Sequence, residues 1–479
     1  MPGDVDCAPS VTLPSPASWR EAGAVLLVSC YELGHQPFSL ASPLAVLQRA
    51  GYCPRAVDTA VTPLTPADVE PAHLVAIAVP MHTALRLGVD VAARVRAWNP
   101  TARICFYGLY AWLNADYLLS QWADYVIGGE YEEPLLALVQ ALERGEHGPV
   151  PGVSDRQHRA GPALVRTYFA VPAREQLPPP RHYAHLVWNG RAVPAGYTEA
   201  TRGCHHTCLH CPIVPLYRGR FFAVPRQVVL ADIRRQVEQG VRHITFGDPD
   251  FLNGPTHSLR ICRELHATFP DVTFDFTTRI EHILRHRTLF REFAALGCIF
   301  VVSAVEIPSD HVLAKLDKGH TRADIEAALA ILDDAGIAMR PSLLPFTPWT
   351  TLEDYRDLLD FIETHGLIEH IDPVHLSIRL LVPPGSALLE REDAVEWVGP
   401  LDPAHFTYTW QHPDPRMDIL QQQVAAVAER ATREGWDPYV TFATVRALAD
   451  QAAGLEPRRE PPRRSHRPSP PRLTESWFC

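Results

Sequence analysis

Short apolar runs alternate with amphipathic stretches in two separate blocks of this chain, and few folds accept that rhythm. In the first block, AVLLVS (24–29), LVAIAV (74–79), ICFYG (104–108) and YVIGG (125–129) have the length and apolar character of buried strands. Amphipathic stretches at about 40–50, 84–98, 111–121 and 131–143 read as helices. Alternating β and α segments bury their apolar faces by laying helices on both sides of a parallel sheet. The expectation is an α/β unit over 21–145 with a doubly wound parallel sheet. Its ligands would lie beyond the carboxyl ends of the strands. Those ends carry CYELGHQ (30–36), PMHT (80–83), GLYAW (108–112) and GGEYEE (128–133).

The second block predicts strands at YTEAT (197–201), HITFG (243–247), VTFDF (272–276), IFVVSAV (299–305), IAMRPSL (337–343) and VHLSIRLL (374–381). Helical stretches fall between them, at 226–239, 257–268, 281–296, 321–335 and 351–365. Six βα units are too few to close an eight-stranded barrel, so residues 196–382 are expected to form an open, partial (βα)6 barrel. Residues 1–20 read as a flexible lead-in and 146–195, rich in Pro, Gly, Arg and His, as a linker. Residues 383–455 read as a helical extension. Residues 456–479, dominated by proline and arginine, hold too little apolar surface to pack and are expected to be disordered.

The bulk numbers narrow the class. The 46% hydrophobic and 21% charged content of the 479 residues fits a globular domain protein. A net charge of −11 argues against nucleic acid as a partner, since phosphate binding needs clustered positive charge. No run approaches the roughly 20 apolar residues of a membrane span, and no secretory signal is visible. Ten mostly scattered cysteines predict a reducing, cytoplasmic setting rather than a disulfide scaffold. Only Lys315 and Lys318 are lysines, and the default for both is solvated surface.

Three cysteines are not scattered. Cys204, Cys208 and Cys211 form a Cys-x3-Cys-x2-Cys run directly after a predicted strand. Three thiolates in eight residues converge only if the loop curls around their ligand, and Gly203 and Pro212 suit that path. Soft thiolates select zinc or an iron–sulfur cluster. Zinc would want a fourth ligand, which His205, His206 or His210 can supply. A 4Fe–4S cluster would be one ligand short, leaving an open iron able to chelate the amino and carboxylate groups of S-adenosylmethionine (SAM).

This spacing, its place after the first strand and the βα units that follow resemble the radical SAM superfamily. The first block adds a likeness to the subgroup with an N-terminal Rossmann-like, cobalamin-binding-type domain. Segments 31–52 and 340–355 further resemble radical SAM proteins with a CUAEP or CCAEP tail. That resemblance implies an enzyme in which Cys204, Cys208 and Cys211 hold a 4Fe–4S cluster. The cluster would cleave SAM reductively to a deoxyadenosyl radical that activates a substrate of unknown identity. Cobalamin-dependent methyl transfer is an alternative, and a non-catalytic zinc or redox-sensing protein is the alternative of another class. An electron donor such as flavodoxin or ferredoxin is the implied partner. The resemblance also implies a continuation past Cys479 through a selenocysteine codon, with Cys479 as a redox group on a mobile tail.

It assigns further expectations by position. His210 stands where the family places an aromatic residue near adenine. Gly247, Asp248 and Asp250 occupy the element that receives the SAM amino group. Ser303 and Glu306 end the fourth strand, where a buried carboxylate needs either a ligand hydroxyl or an arginine, with Arg279 and Arg340 as neighbours. In the first block the cobalt-ligating Asp-x-His-x-x-Gly motif is absent; Glu32-Leu-Gly-His35 stands there. The pair Gly128-Gly129 either admits a ligand closely or starts a helix.

Overall fold

A computed structural model of the chain describes residues 16–165, 168–458, 460–465 and 467–474. It divides into two compact units, one of residues 1–31 and 39–177, the other of residues 32–38 and 178–479.

The first unit is built on strands β1 (Val25–Ser29), β2 (Arg55–Asp58), β3 (Leu74–Ala78), β4 (Arg103–Tyr107), β5 (Tyr125–Ile127) and β6 (Val153–Ser154). The sheet order is β2-β1-β3-β4-β5-β6, parallel throughout except for the β5–β6 pair. Every residue of β1 and β3 is buried, which explains why their sequences are continuous apolar runs rather than alternating ones. The helices Phe38–Arg49, His82–Trp98 and Glu132–Glu143 supply the cover. The order reverses between β1 and β3, the switch point at which such sheets open a crevice.

The second unit carries β7 (His185–Trp188), β8 (Arg191–Thr198), β9 (Thr201–Gly203), β10 (Phe221–Ala223), β11 (His243–Phe246), β12 (Thr273–Thr277), β13 (Cys298–Glu306) and β14 (Ala338–Leu343). Strands β15 (Val398–Asp402) and β16 (Thr407–Trp410) form a hairpin, and β17 (Arg472–Leu473) comes last. The large sheet runs β14-β13-β12-β11-β8-β7-β17. Strands β8 and β11 to β14 are all parallel, giving the expected half-barrel. Its register aligns Thr198 with Phe246, Phe246 with Phe276, and Phe276 with Val301, so the carboxyl ends of these strands reach one rim.

Period-two alternation sorts the two faces. Phe246, Phe274 and Phe276 point toward the helices and pack with Phe251 and Phe293 at ring separations of 4.5–6.4 Å. Burying each such ring stabilises by roughly 1.5–3 kcal/mol. Thr245, Asp275, Thr277, Phe300, Val302, Arg340 and Ser342 point the other way, into the lumen.

Several elements depart from the sequence expectation: β6 and β7 lie in the stretch read as a linker, and the β15–β16 hairpin in the one read as helical. The sixth strand candidate, 374–381, forms a turn of helix at Pro373–Leu376 and a single bridge from Arg379 to Phe346. Pro373 opens that helical turn and supplies no ladder donor. The tail expected to be disordered is ordered through Thr474. Arg458 pairs with Glu363 and Asp360, Arg467 with Asp333, and Ser469 with Glu369. Then β17 adds to β7, with Arg472 opposite Val187 and Leu473 opposite Leu186. The tail cannot build a core of its own, but carboxylates on the helices Arg322–Ala335 and Leu352–Thr364 give its arginines partners. Cys479 lies outside the described residues.

Candidate metal centre

The three cysteines sit on the loop that leaves β9 at the carboxyl rim of the half-barrel. Gly203 has a φ of 78°, and a Cβ there would lie 2.5 Å from the Arg220 carbonyl and the Tyr217 ring. Only glycine lets the loop turn back against β10. Cys211 N–H donates to Cys208 O at 3.1 Å, curling the two sulfur-bearing residues onto one turn before the short helix Ile213–Tyr217. All three are free thiols; Cys208 is buried and the other two half-buried. Burial pushes the Cys211 thiol up to about 12, and its two neighbouring sulfurs push the same way. Burial outweighs the downward pull of Lys318 on Cys211 and of Arg279 on Cys204, so three thiolates here need a positive centre among them. That donor set fits an iron–sulfur cluster.

The segment after β11 clamps this loop. Asp248 is buried and accepts from Thr201 Oγ1 at 2.6 Å and Ala200 N at 2.9 Å, fixing the loop's entry. Burial raises its carboxyl to about 6 against the pull of those donors. Asp250 accepts from Thr278 Oγ1 and Leu252 N on Oδ1, and its Oδ2 faces His206 and His282. Asn253 Oδ1 accepts from His205 N. Both carboxylates expected at a SAM amino group therefore already hold protein groups. Gly247 is explained by packing as well: a Cβ there would fall 1.9 Å from the Tyr197 ring, whose hydroxyl donates to Gly247 O at 3.3 Å.

Across the rim, Glu306 is buried with φ of 61° and receives Lys318 Nζ at 2.9 Å and His210 Nε2 at 3.3 Å. Burial would raise this carboxyl; Lys318, and after it His210, hold it well below the usual carboxylate range. The partner is thus neither Arg279 nor Arg340. Arg279 donates to Lys318 O, and Arg340 pairs with Asp372 at 2.5 Å and donates to Pro471 O. Lys318 is 3% exposed, against the surface default, while Lys315 pairs with Asp393 at 2.7 Å. Leu209 N donates to Leu316 O, tying the cysteine loop to the lysine-bearing segment. Ser303 faces away from the lumen and donates to Thr278 O at 2.8 Å. His282 is the site residue that sequence reading misses; the sequence offers His206 only as a zinc ligand beside the cysteines and Lys318 only as surface, because burial is not written in a single sequence.

Below the rim the lumen holds a cavity of about 150 Å³. Tyr197, Thr245, Asp275, Thr277, Arg340 and His375 supply its polar wall, and Leu33, Phe300 and Leu473 part of its apolar one. Asp275 is held by His243 Nε2 at 2.8 Å and Thr245 Oγ1 at 2.7 Å.

In the first unit, the space beside Gly128 is filled by Trp112, 2.5 Å from a notional Cβ, and that beside Gly129 by the Ala163 carbonyl at 2.4 Å. The close approach that this pair permits is to protein, not to an open cradle.

Residues 198–362 match the family model of the radical SAM superfamily. A tRNA-2-methylthio-N(6)-dimethylallyladenosine synthase of Chlorobium luteolum is 28% identical over 189 residues, covering 36% of this chain and 40% of that protein. The anaerobic magnesium-protoporphyrin IX monomethyl ester cyclase of Cereibacter sphaeroides is 24% identical over 249 residues, covering 50% and 40%. The chain thus spans about two fifths of the length of these curated relatives. Among solved structures, the radical SAM methyltransferase TsrM of Kitasatospora setae, with tryptophan and a SAM analogue bound, superposes with a TM-score of 0.65 at 14% identity, over 85% of this chain and 89% of that one. The cobalamin-dependent radical SAM enzyme OxsB, with aqua-cobalamin and SAM bound, gives 0.66 at 14%, over 86% and 67%. At such identities the likeness shows the fold alone: a parallel α/β sheet and a parallel half-barrel.

Proposed function

We propose, from the radical SAM domain at 198–362, that this chain is a radical SAM enzyme whose Cys204, Cys208 and Cys211 hold a 4Fe–4S cluster with one iron open to SAM. The observation that carries this reading is the loop itself: three free thiols on one curl, clamped at the carboxyl rim of an open parallel half-barrel. A cluster held there would supply one electron for cleavage of the SAM sulfonium's carbon–sulfur bond, releasing methionine and the radical that abstracts hydrogen from a substrate.

The chain's own residues do the rest. Asp248, Asp250 and Asn253 fix the loop's path. The Glu306–Lys318 pair gives the opposite rim a charged, hydrogen-bonding wall, and His210, on the cysteine loop, leans on it. The lumen cavity lies beneath and is the proposed substrate pocket; Leu33, Phe300 and Leu473 keep part of its wall dry. Zinc on the same cysteines is disfavoured because His206 and His210 already face carboxylates. An external one-electron donor of the flavodoxin or ferredoxin class and a cytoplasmic location belong to the same reading.

A second reading, cobalamin-dependent methyl transfer, draws support from the order reversal at β1 and β3 and from the fold shared with TsrM and OxsB. The filled spaces at Gly128 and Gly129 argue against that pair as the cobalamin cradle. One preparation tests both. The protein is purified without oxygen, reconstituted with iron and sulfide, reduced and given SAM. Deoxyadenosine supports the first reading, and retained cobalamin absorbance the second. A colourless zinc protein that leaves SAM intact would sink both.

A further inference from the structure

A second convergence of metal-ligating groups lies beside the cysteine loop and includes none of its sulfurs. His206 comes from that loop, Asp250 from the segment after β11, and His282 from the helix Ile280–Arg285 that follows β12. The Asp250 side chain is wholly buried, that of His282 is 5% exposed and that of His206 11%. Asp250 Oδ2 lies 3.3 Å from His206 Nε2 and 2.9 Å from His282 Nδ1, and all three atoms fall within 4.8 Å of one another.

Among the described residues, none of these three atoms has a partner in hydrogen-bonding geometry, although each is buried. The other carboxylate oxygen behaves differently: Asp250 Oδ1 accepts from Thr278 Oγ1 at 2.8 Å and Leu252 N at 3.1 Å. One oxygen is thus fixed by conventional donors, while the other meets two imidazole nitrogens at contact distance but at the wrong angles. Three unsatisfied donor atoms within 4.8 Å of one another are close enough to share one ion. Ligands about 2.0–2.1 Å from a tetrahedral ion stand about 3.3 Å from each other, close to the two separations from Oδ2.

We propose that His206 Nε2, Asp250 Oδ2 and His282 Nδ1 bind a divalent first-row metal ion of the zinc type, separate from the cysteine-held centre. Two imidazoles and one carboxylate are a donor set such ions accept, with solvent in the remaining position. The ion would join three segments of the rim and pin the Cys204–Cys208 loop from outside. The proposal does not depend on what the cysteines hold.

The test uses the full chain with its cluster reconstituted, incubated with Zn2+ and desalted, with iron and zinc counted by elemental analysis. About one zinc per chain beyond the cluster iron is expected. His282→Gln and His206→Gln should each bring zinc to background while cluster iron and absorbance persist. Cluster-loaded wild type that retains no zinc, or a His282→Gln chain that retains it all, overturns the proposal. A second measurement guards against misfolded variants. The chain with Cys204, Cys208 and Cys211 all changed to Ala is loaded with Co2+. Tetrahedral d–d bands without thiolate charge transfer support the site, and their absence counts against it.

Discussion

Lys318 and Glu306 form an ion pair of 2.9 Å, with side chains 3% and 8% exposed, on the rim that faces the cysteine loop. Twelve residues separate them in sequence, and the helix Asp310–Lys315 with its following turn folds the lysine back over the end of β13.

Removing one partner strands the other. Lys318→Met should destabilise the apo-protein by about 3–5 kcal/mol, because a buried carboxylate loses its counter-charge. The double variant Lys318→Met/Glu306→Leu should recover much of that loss. Chemical denaturation of the two variants checks this; equal stability of the single and double variants would contradict it.

Cysteine replacement separates ligands from bystanders. Cys208→Ala should abolish brown colour, cluster iron and deoxyadenosine formation. Cys262→Ala, at a buried thiol of the half-barrel's helical layer, should leave all three in place and lower only stability. Iron content and ultraviolet–visible spectra of both proteins decide it.

The central strands of the first sheet were legible because they are buried and carry apolar runs, and those of the half-barrel because apolar residues alternate with lumen-facing ones. Strand β2, Arg-Ala-Val-Asp, was not: it is an edge strand with an exposed start and only two apolar residues. Strand β17 was illegible for another reason. Its pairing with β7 and the salt links of the tail lie on distant elements, and composition records none of that. The cysteine ligands were readable because all three lie within eight residues. The clamp of Asp248 on Thr201 spans 47 residues, and the meeting of His206 with His282 spans 76, so neither leaves a local pattern.

Acid should weaken the fold through buried histidines. Burial lowers His320 and His375 each to about 4, Lys318 adding to the effect at His320. The folded state keeps them neutral while the unfolded chain takes up protons below about 6.5, so stability falls as pH drops from about 6.5 to about 4. Each histidine contributes on the order of 3 kcal/mol to that loss. His320→Gln and His375→Gln should flatten the slope in denaturation curves across this window, and an unchanged slope in both would refute the assignment.

The space beside Gly247 belongs to Tyr197. Gly247→Ala places a methyl group 1.9 Å from a ring carbon, so the ring must leave its position on the cavity wall. A loss of roughly 1–3 kcal/mol is expected. Tyr197→Ala in the same chain should relieve the strain, and melting temperatures of the single and double variants report it.

The arginine-rich tail should resist trypsin despite its many cleavage sites. Arg467 is held on Asp333 and Arg458 on Glu363 and Asp360. Asp333→Ala with Glu363→Ala should speed cleavage between residues 456 and 474 several-fold. Equal cleavage rates in the parent chain would show that these links do not hold the tail.

Strand β7 is paired on one side by β8, a few residues away, and on the other by β17, 285 residues later by the Val187–Arg472 spacing of the ladder. During synthesis the half-barrel therefore exists for most of its assembly with an open outer edge, its N–H and C=O groups available to any passing strand. Completion of that sheet waits on the late arrival of Arg472 and Leu473. The step is a long-range closure, slow relative to the local βα units, and a nascent chain halted before residue 472 would lack Leu473 from its lumen wall and keep an adhesive side.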